Sequence, residues 1–299
     1  MKIFILGAPG YIGGTVAQKL ISEGHVVHGL ARDNKKAEEI EELGQIPIVG
    51  GLDDLDIIYK AASDSEVVIN AASTNHVYSI RTILDALEGT NKTFIHTSGS
   101  SIVSDYSVGT YSQEIYNEYK TFRPLPEKAI WYSLERDLIL PSSNKGVRTI
   151  ILCPCMIFGY GTGLRKESIQ IPLMIRAAKS LGKSVYVGDG ENIWSNVHID
   201  DCANAYLLAL ENAQSGSLFY LESSQNTIRN LASAVGKHLR QNPVSKSVTL
   251  GEAYKIWGPH MTLSLCSNSR ITSEMARKSI GWAPKLVYDA DQIISESVL

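Results

Sequence analysis

The sequence predicts an α/β protein built on a doubly wound parallel sheet, with a smaller C-terminal lobe. Three observations carry that expectation. Runs that are apolar throughout, such as Ile3-Phe4-Ile5-Leu6 and Val67-Val68-Ile69, alternate with stretches of helical period through the first half of the chain. Strands without polar alternation are covered on both faces, which is the signature of a parallel sheet between helices. The first such run leads straight into a glycine-rich turn, and the rhythm breaks near residue 160, where 299 residues still leave room for more packed structure.

In order, Lys2–Leu6 reads as the first strand and Tyr11–Glu23 as the helix after it, ended by Gly24. His25–Leu30 is the second strand, and the charged stretch Lys35–Leu43 is helical up to Gly44. Ile46–Val49 is the third strand, Leu55–Ala62 a helix and Val67–Ala71 the fourth strand. Ser79–Leu87 is helical, Thr93–Thr97 is the fifth strand and Val147–Leu152 the sixth. The tyrosine-rich segment Ser104–Leu125 has no period and reads as a loop over the carboxyl edge of the sheet, before a helix at Glu127–Ile139. Further on, Arg165–Leu181, Asp200–Asn212, Thr227–Leu239 and Ser269–Ser279 read as helices, with a strand and turn at Val185–Gly190. The expected division is a dinucleotide-binding region at 1–160 and a substrate lobe at 161–299, some of whose segments return to the sheet. The second region lacks a glycine turn of its own, so it is expected to contact substrate.

Bulk properties exclude several classes. A net charge of −3 with 20% charged residues gives no electrostatic footprint for nucleic acid or for an anionic membrane surface. No apolar run approaches the roughly 18 residues that span a bilayer. Cys153 and Cys155 flank Pro154, a spacing that is neither a redox pair nor a zinc site; Cys202 and Cys266 stand apart. No metal site is expected, and reduced thiols point to the cytoplasm. The expected partner is a small-molecule substrate, and the expected state a monomer or homodimer.

The turn Gly7-Ala8-Pro9-Gly10-Tyr11-Ile12-Gly13 is the most specific feature. Gly7 permits a sharp strand-to-helix turn, Gly10 lets backbone approach a pyrophosphate, and Gly13 lets the helix pack on the strand. Amides of Tyr11 and Ile12 then face the phosphates at the helix N-terminus. The context, a strand before and an amphipathic helix after, is the one that gives such glycines this meaning.

The spacing G-x-x-G-x-x-G resembles the short-chain dehydrogenase/reductase superfamily, in its extended and atypical branches, the relatives of nucleotide-sugar epimerases and dehydratases. Val68-Ile69-Asn70-Ala71-Ala72 resembles the family's fourth strand, and Phe94-Ile95-His96-Thr97-Ser98-Gly99-Ser100-Ser101 its serine-bearing fifth. The segment from Val147 to Gly159 is similar to the one passing the nicotinamide, Trp194 to Ala203 to one near the substrate lobe, and Ile280-Gly281-Trp282-Ala283-Pro284 to a near-terminal motif. The resemblance implies a Rossmann-type fold and cofactor contacts from Ala71, Ala72, Ser73, Thr97, Ser98 and Pro154.

An NADP site places a cation after the second strand for the 2′-phosphate, whereas an NAD site places a carboxylate for the ribose. Ala31-Arg32-Asp33 offers both, with Lys35 and Lys36 adjacent; Arg32 favours NADP, and Asp33 would favour NAD. After the third strand the row reads Gly50-Gly51-Leu52-Asp53-Asp54, so adenine recognition falls to backbone at Leu52, and the two aspartates are expected to cap the next helix.

The resemblance implies a catalytic tyrosine with a lysine four residues on, and a serine on the fifth strand matched by Ser100. Tyr116 and Lys120 have that spacing, yet Pro124 and Pro126 prevent the helix that should carry them. Counted back from Glu135 on the following helix, the tyrosine position holds Glu127 and the lysine position Trp131. Tyr132 is another candidate acid, His76 a candidate substrate contact, and His198 is expected to pack, with Asp200 and Asp201 capping a helix from Cys202. The leading expectation is an NADP(H)-dependent oxidoreductase acting on a carbonyl of a small metabolite. Its rivals are an NADP(H)-binding redox-sensing regulator without turnover and a nucleotide-sugar epimerase or dehydratase.

Overall fold

A computed structural model describes residues 1–297; Val298 and Leu299, at the end of the expected second region, lie outside it. The first half alternates as expected: β1 (Lys2–Leu6), α1 (Tyr11–Ser22), β2 (Val26–Ala31), α2 (Asn34–Glu41), β3 (Ile46–Val49), α3 (Leu55–Ser63), β4 (Val67–Asn70), α4 (Val77–Leu87) and β5 (Thr93–Thr97). A short helix α5 (Ala129–Ser133) precedes β6 (Arg148–Pro154) and β7 (Met156–Phe158). The remainder comprises α6 (Gln170–Leu181), β8 (Ser184–Val187), β9 (Ile193–His198), α7 (Ile199–Asn212), β10 (Ser217–Leu221), β11 (Ser224–Thr227) and α8 (Ile228–His238). It closes with β12 (Ser245–Val248), α9 (Leu250–Leu265), α10 (Glu274–Ser279) and α11 (Ala290–Ser297).

Seven strands form one parallel sheet in the order β10-β6-β5-β4-β1-β2-β3. The chain therefore winds outward in both directions from β1, and β10 brings the later half of the sequence back to the sheet. Ile3, Phe4, Ile5 and Leu6 are fully buried, as a strand covered on both faces requires. A second core forms around β7 and β9, where Phe158, Met174, Trp194, Val235 and Leu265 pack together. No helix among the described residues is long and apolar enough to cross a membrane.

Several elements depart from the sequence expectation. The helix expected from Arg165 begins only at Gln170, because the segment before it is pinned to α1: a Cβ at Gly163 would lie 2.4 Å from the Gly14 backbone. The helix expected from Ser269 begins at Glu274; Ser269 and Ile271 instead run extended, bridged to Trp194 and Tyr116. The helix expected at Glu127–Ile139 is broken into a 3-10 turn at Pro126–Lys128, α5, and a wider π-type stretch at Leu134–Ile139. Strands β7, β9 and β11 form an unforeseen small sheet, and α9 carries a kink at Gly258-Pro259, where Gly258 has φ +74°.

Candidate active site

The crevice of a doubly wound sheet opens at the carboxyl ends of the strands, where neighbouring strands lead away in opposite directions. Here that point lies between β1 and β4, flanked by the turn after Leu6 and the turn after Asn70. Gly7 has φ +87°, and a Cβ there would sit 2.5 Å from the Ala71 carbonyl oxygen, so the two turns touch. A Cβ at Gly13 would lie 2.4 Å from the Gly7 carbonyl oxygen, which fixes α1 against the turn. Gly10 is the N-cap of α1, with no side-chain cap and no acid in the first turn. The amides of Tyr11, Ile12 and Gly13 thus lack intrahelical partners and meet no negative charge, the donor set a pyrophosphate needs. The residues fit a dinucleotide. The Tyr11 hydroxyl turns away to donate to the Gly159 carbonyl at 2.7 Å, so Tyr11 brings its amide to the turn, not its ring.

The Ala71–Ser73 turn is built by a residue outside the expected set. Asn70 Oδ1 accepts from Ala72 N at 3.1 Å, and its Nδ2 donates to the Ser73 carbonyl at 2.8 Å and reaches His96 Nδ1 at 3.2 Å. That last contact makes Nδ1 the acceptor of a neutral imidazole, in keeping with burial that pushes His96 down to about 3. An amide at the end of a parallel strand, already visible as Asn70-Ala71-Ala72, was the available signal.

At the other end of the crevice, Arg32 is exposed just beyond β2. Asp33, the competing residue, caps α2 by accepting from Lys36 N at 2.8 Å, and Lys36 pairs with Glu39. Leu52 packs its side chain on the core. The aspartates after it do not cap α3 with their side chains: Asp54 accepts from Gly51 N at 2.7 Å and closes the loop, while Asp53 meets His76 Nε2 at 3.2 Å. His76 is the cap of α4, accepting from Ser79 N at 3.2 Å, which corrects its expected place as a substrate contact. His198 does pack, beside Phe158 and Tyr288, and caps α7 itself by accepting from Asp200 N. That helix starts at Ile199, not Cys202, because Asp201 is occupied with Lys285 N and Leu286 N.

A cleft of about 560 Å³ opens between the carboxyl edge of the sheet and the lobe, lined among others by Ser100, Lys128, Trp131, Pro154, Trp194 and His260. The fifth-strand residues split between cleft and core. Thr97 is turned inward, its hydroxyl 2.7 Å from that of Tyr206. Ser98 is buried beside Glu135 without a well-formed hydrogen bond. Ser100 lines the cleft, but its hydroxyl is 2.7 Å from Ser269 Oγ, which donates back to the Ser100 carbonyl. Its proton is therefore engaged away from a substrate oxygen.

The structure does not bring the Lys120 ammonium to the Tyr116 hydroxyl. Tyr116 sits in an extended segment whose backbone bonds Arg270 and Thr272, because the prolines after it forbid a helix. Lys120 lies over the Tyr116 ring, 4.6 Å from its centroid, instead of beside the hydroxyl, and is paired with Glu114. Neither lines the cleft, and Tyr132 is packed on Phe122 outside it.

Among the charged groups that face the cleft, Lys128 has no counterpart in the sequence expectation. Glu127, at the expected tyrosine position, accepts from the Tyr106 hydroxyl at 2.6 Å, so the loop returns a phenol to the site. Lys128, one residue on, reaches the Ser101 carbonyl and the Ser104 hydroxyl. Burial pushes its ammonium down to about 8, with Glu127 and Asp105 pulling the other way. Trp131, at the expected lysine position, donates its indole to Glu135. Burial pushes Glu135 up to about 7, while Ser98, Trp131 and Arg136 oppose that shift. Only the shortened turn at Pro126–Lys128 aims Lys128 at the cleft, and the sequence carried no sign of that.

This geometry has known relatives. An uncharacterized protein of Saccharomyces cerevisiae is 30% identical over 302 residues, covering 96% of both chains. A 4-hydroxy-2-methyl-3-oxo-4-farnesyl-3,4-dihydroquinoline-1-oxide ketoreductase of Stigmatella aurantiaca is 22% identical over 234 residues, covering 74% of this chain and 68% of its own. The structure of UDP-glucuronic acid 4-epimerase from Bacillus cereus, in complex with UDP-glucuronic acid and NAD, superposes with a TM-score of 0.76 over 99% of this chain and 98% of that one, at 18% identity, a likeness of fold. The family model described as "NAD dependent epimerase/dehydratase family" matches residues 3–220, and the chain belongs to that family.

Proposed function

We propose that this protein is an NADPH-dependent reductase of a carbonyl group on a small metabolite. The observation that carries the reading is the nearness of two sites: an uncapped helix end at a glycine turn touches the turn after β4, and Thr74 and Asn75, which follow that turn, line a cleft whose walls are part aromatic and part polar. A nicotinamide cofactor, when bound, would supply the hydride that such a reduction needs. The protein's own residues would hold the pyrophosphate through the α1 amides, hold the 2′-phosphate through Arg32, and seat the substrate between Trp131, Trp194 and the kinked α9. Asp33 supports NADP over NAD, since its carboxylate is engaged in capping α2. The ketoreductase among the relatives acts in the same sense. A nucleotide-sugar epimerase fits less well, because Glu127 and Trp131 stand where the phenol and ammonium are expected.

NADPH and NADH are titrated by fluorescence, and NADPH oxidation is then followed with a panel of aldehydes, ketones and quinones. Turnover with NADPH is the expected result. Tight NADPH binding without turnover on the whole panel would transfer the assignment to the cofactor-sensing regulator, and failure to bind either cofactor would sink both.

A further inference from the structure

We propose that the ε-ammonium of Lys128 is the proton donor of this site, replacing the phenol expected at position 127. The inference rests on the reductase reading and names its missing acid. Lys128 projects from the turn Pro126–Lys128 across the cleft to the loop after β5, where it meets the Ser101 carbonyl and the Ser104 hydroxyl. An ammonium has three donors. Two are held by these oxygens, which aims the amine, and the third remains for a group in the cleft that Lys128 itself lines.

Two other groups of the cleft are engaged elsewhere, and a third lies behind its wall. The phenol of Tyr106 is hydrogen-bonded to Glu127, which raises its pKa and holds its proton. The Ser100 hydroxyl is paired with that of Ser269, and the Glu135 carboxyl is buried behind Trp131. The charged and titratable groups around the Lys128 amine are Glu127 on its own turn, Asp105 and Tyr106 from the loop, and His260 from α9. Burial outweighs the two carboxylates and sets the amine near 8, a value suited to giving up a proton at neutral pH.

In the step, the carbonyl carbon gains hydride from the reduced nicotinamide and the π-electron pair moves to oxygen. That oxygen takes a proton from Lys128 Nζ, breaking one N–H bond and forming one O–H bond. The resulting neutral amine keeps two protons, one for the Ser101 carbonyl, and can accept from the Ser104 hydroxyl. Solvent at the cleft mouth restores the third proton.

Three variants separate proton transfer from charge. Lys128→Met and Lys128→Arg should both lose about 10²–10⁴-fold in kcat with NADPH affinity unchanged, since a guanidinium keeps the charge but does not release a proton. Lys128→Cys treated with bromoethylamine regains an amine, with Lys128→Met given the same treatment as the control for alkylation of Cys155, which shares the cleft. Recovered turnover is expected, and in the wild type the rate should fall as pH rises through about 8. Retained turnover in Lys128→Arg would show that charge alone matters and overturn the proposal; so would the same pH limb surviving in Lys128→Met. A readout that needs no substrate is the pH dependence of acylation at Lys128, mapped by mass spectrometry with and without NADPH. A midpoint near 8 supports the inference, and an ordinary lysine midpoint overturns it while leaving the reductase reading intact. Absence of turnover in the wild type, by contrast, removes the reductase reading and the proton-donor role with it.

Discussion

Replacing Arg32 with alanine tests the cofactor assignment most directly. The guanidinium is exposed beyond β2, and the neighbouring carboxylate of Asp33 accepts from Lys36 N at 2.8 Å. If Arg32 forks onto a 2′-phosphate, its loss removes a charge-assisted contact worth about 1.5–3 kcal/mol. At 1.4 kcal/mol per decade this is roughly a 10- to 150-fold weaker NADPH complex. Exposure and screening over a Debye length of about 8 Å favour the lower end, and the loss should shrink as salt is added. NADH, without the phosphate, should bind Arg32→Ala within about twofold of wild type. The companion variant Asp33→Asn keeps a capping acceptor for α2 and removes the charge, so stability and NADH affinity should both hold. Fluorescence titrations of both cofactors against the three proteins decide the matter. Equal weakening of NADPH and NADH by Arg32→Ala, or loss of NADH binding in Asp33→Asn, would refute this account of the β2 end.

Other perturbations have equally definite outcomes. Glu135 has its folded pKa raised to about 7 from 4.5, so the folded state binds more protons and stability falls as pH rises through that window, by about 3 kcal/mol in all. Glu135→Gln should flatten that slope in denaturant titrations at several pH values, leaving the variant the more stable protein above pH 7; an unchanged slope would assign the titration elsewhere. Asn70→Ala strips the Ala72 and Ser73 backbone of buried partners and should cost about 1–3 kcal/mol, with weaker binding of both cofactors, read by denaturation and titration together. Tyr116→Phe should leave turnover within about twofold on any substrate found, because the ring is outside the cleft; a drop of about a hundredfold would restore the Tyr-x-x-x-Lys pairing.

The N-terminal half of the molecule was legible because its signals are local. A fully apolar run states burial on both faces, and Gly7 with Gly13 states a close approach of backbone that any Cβ would block. Such constraints act over a few residues, so β1 to β5 and the phosphate turn could be read directly. Small strands such as β7 and β11 escaped because three or four residues carry too little period to distinguish strand from loop. The catalytic side was decided by contacts between distant segments. Tyr106 meets Glu127 across the cleft, Ser100 meets Ser269 from 169 positions away, and Asp33 caps α2 through one carboxylate oxygen. Nothing in the row of residues singled out Lys128. The proline-shortened turn before α5 and the walls of the cleft enclose its amine, and that burial, which pushes its pKa down, exists only in the folded chain.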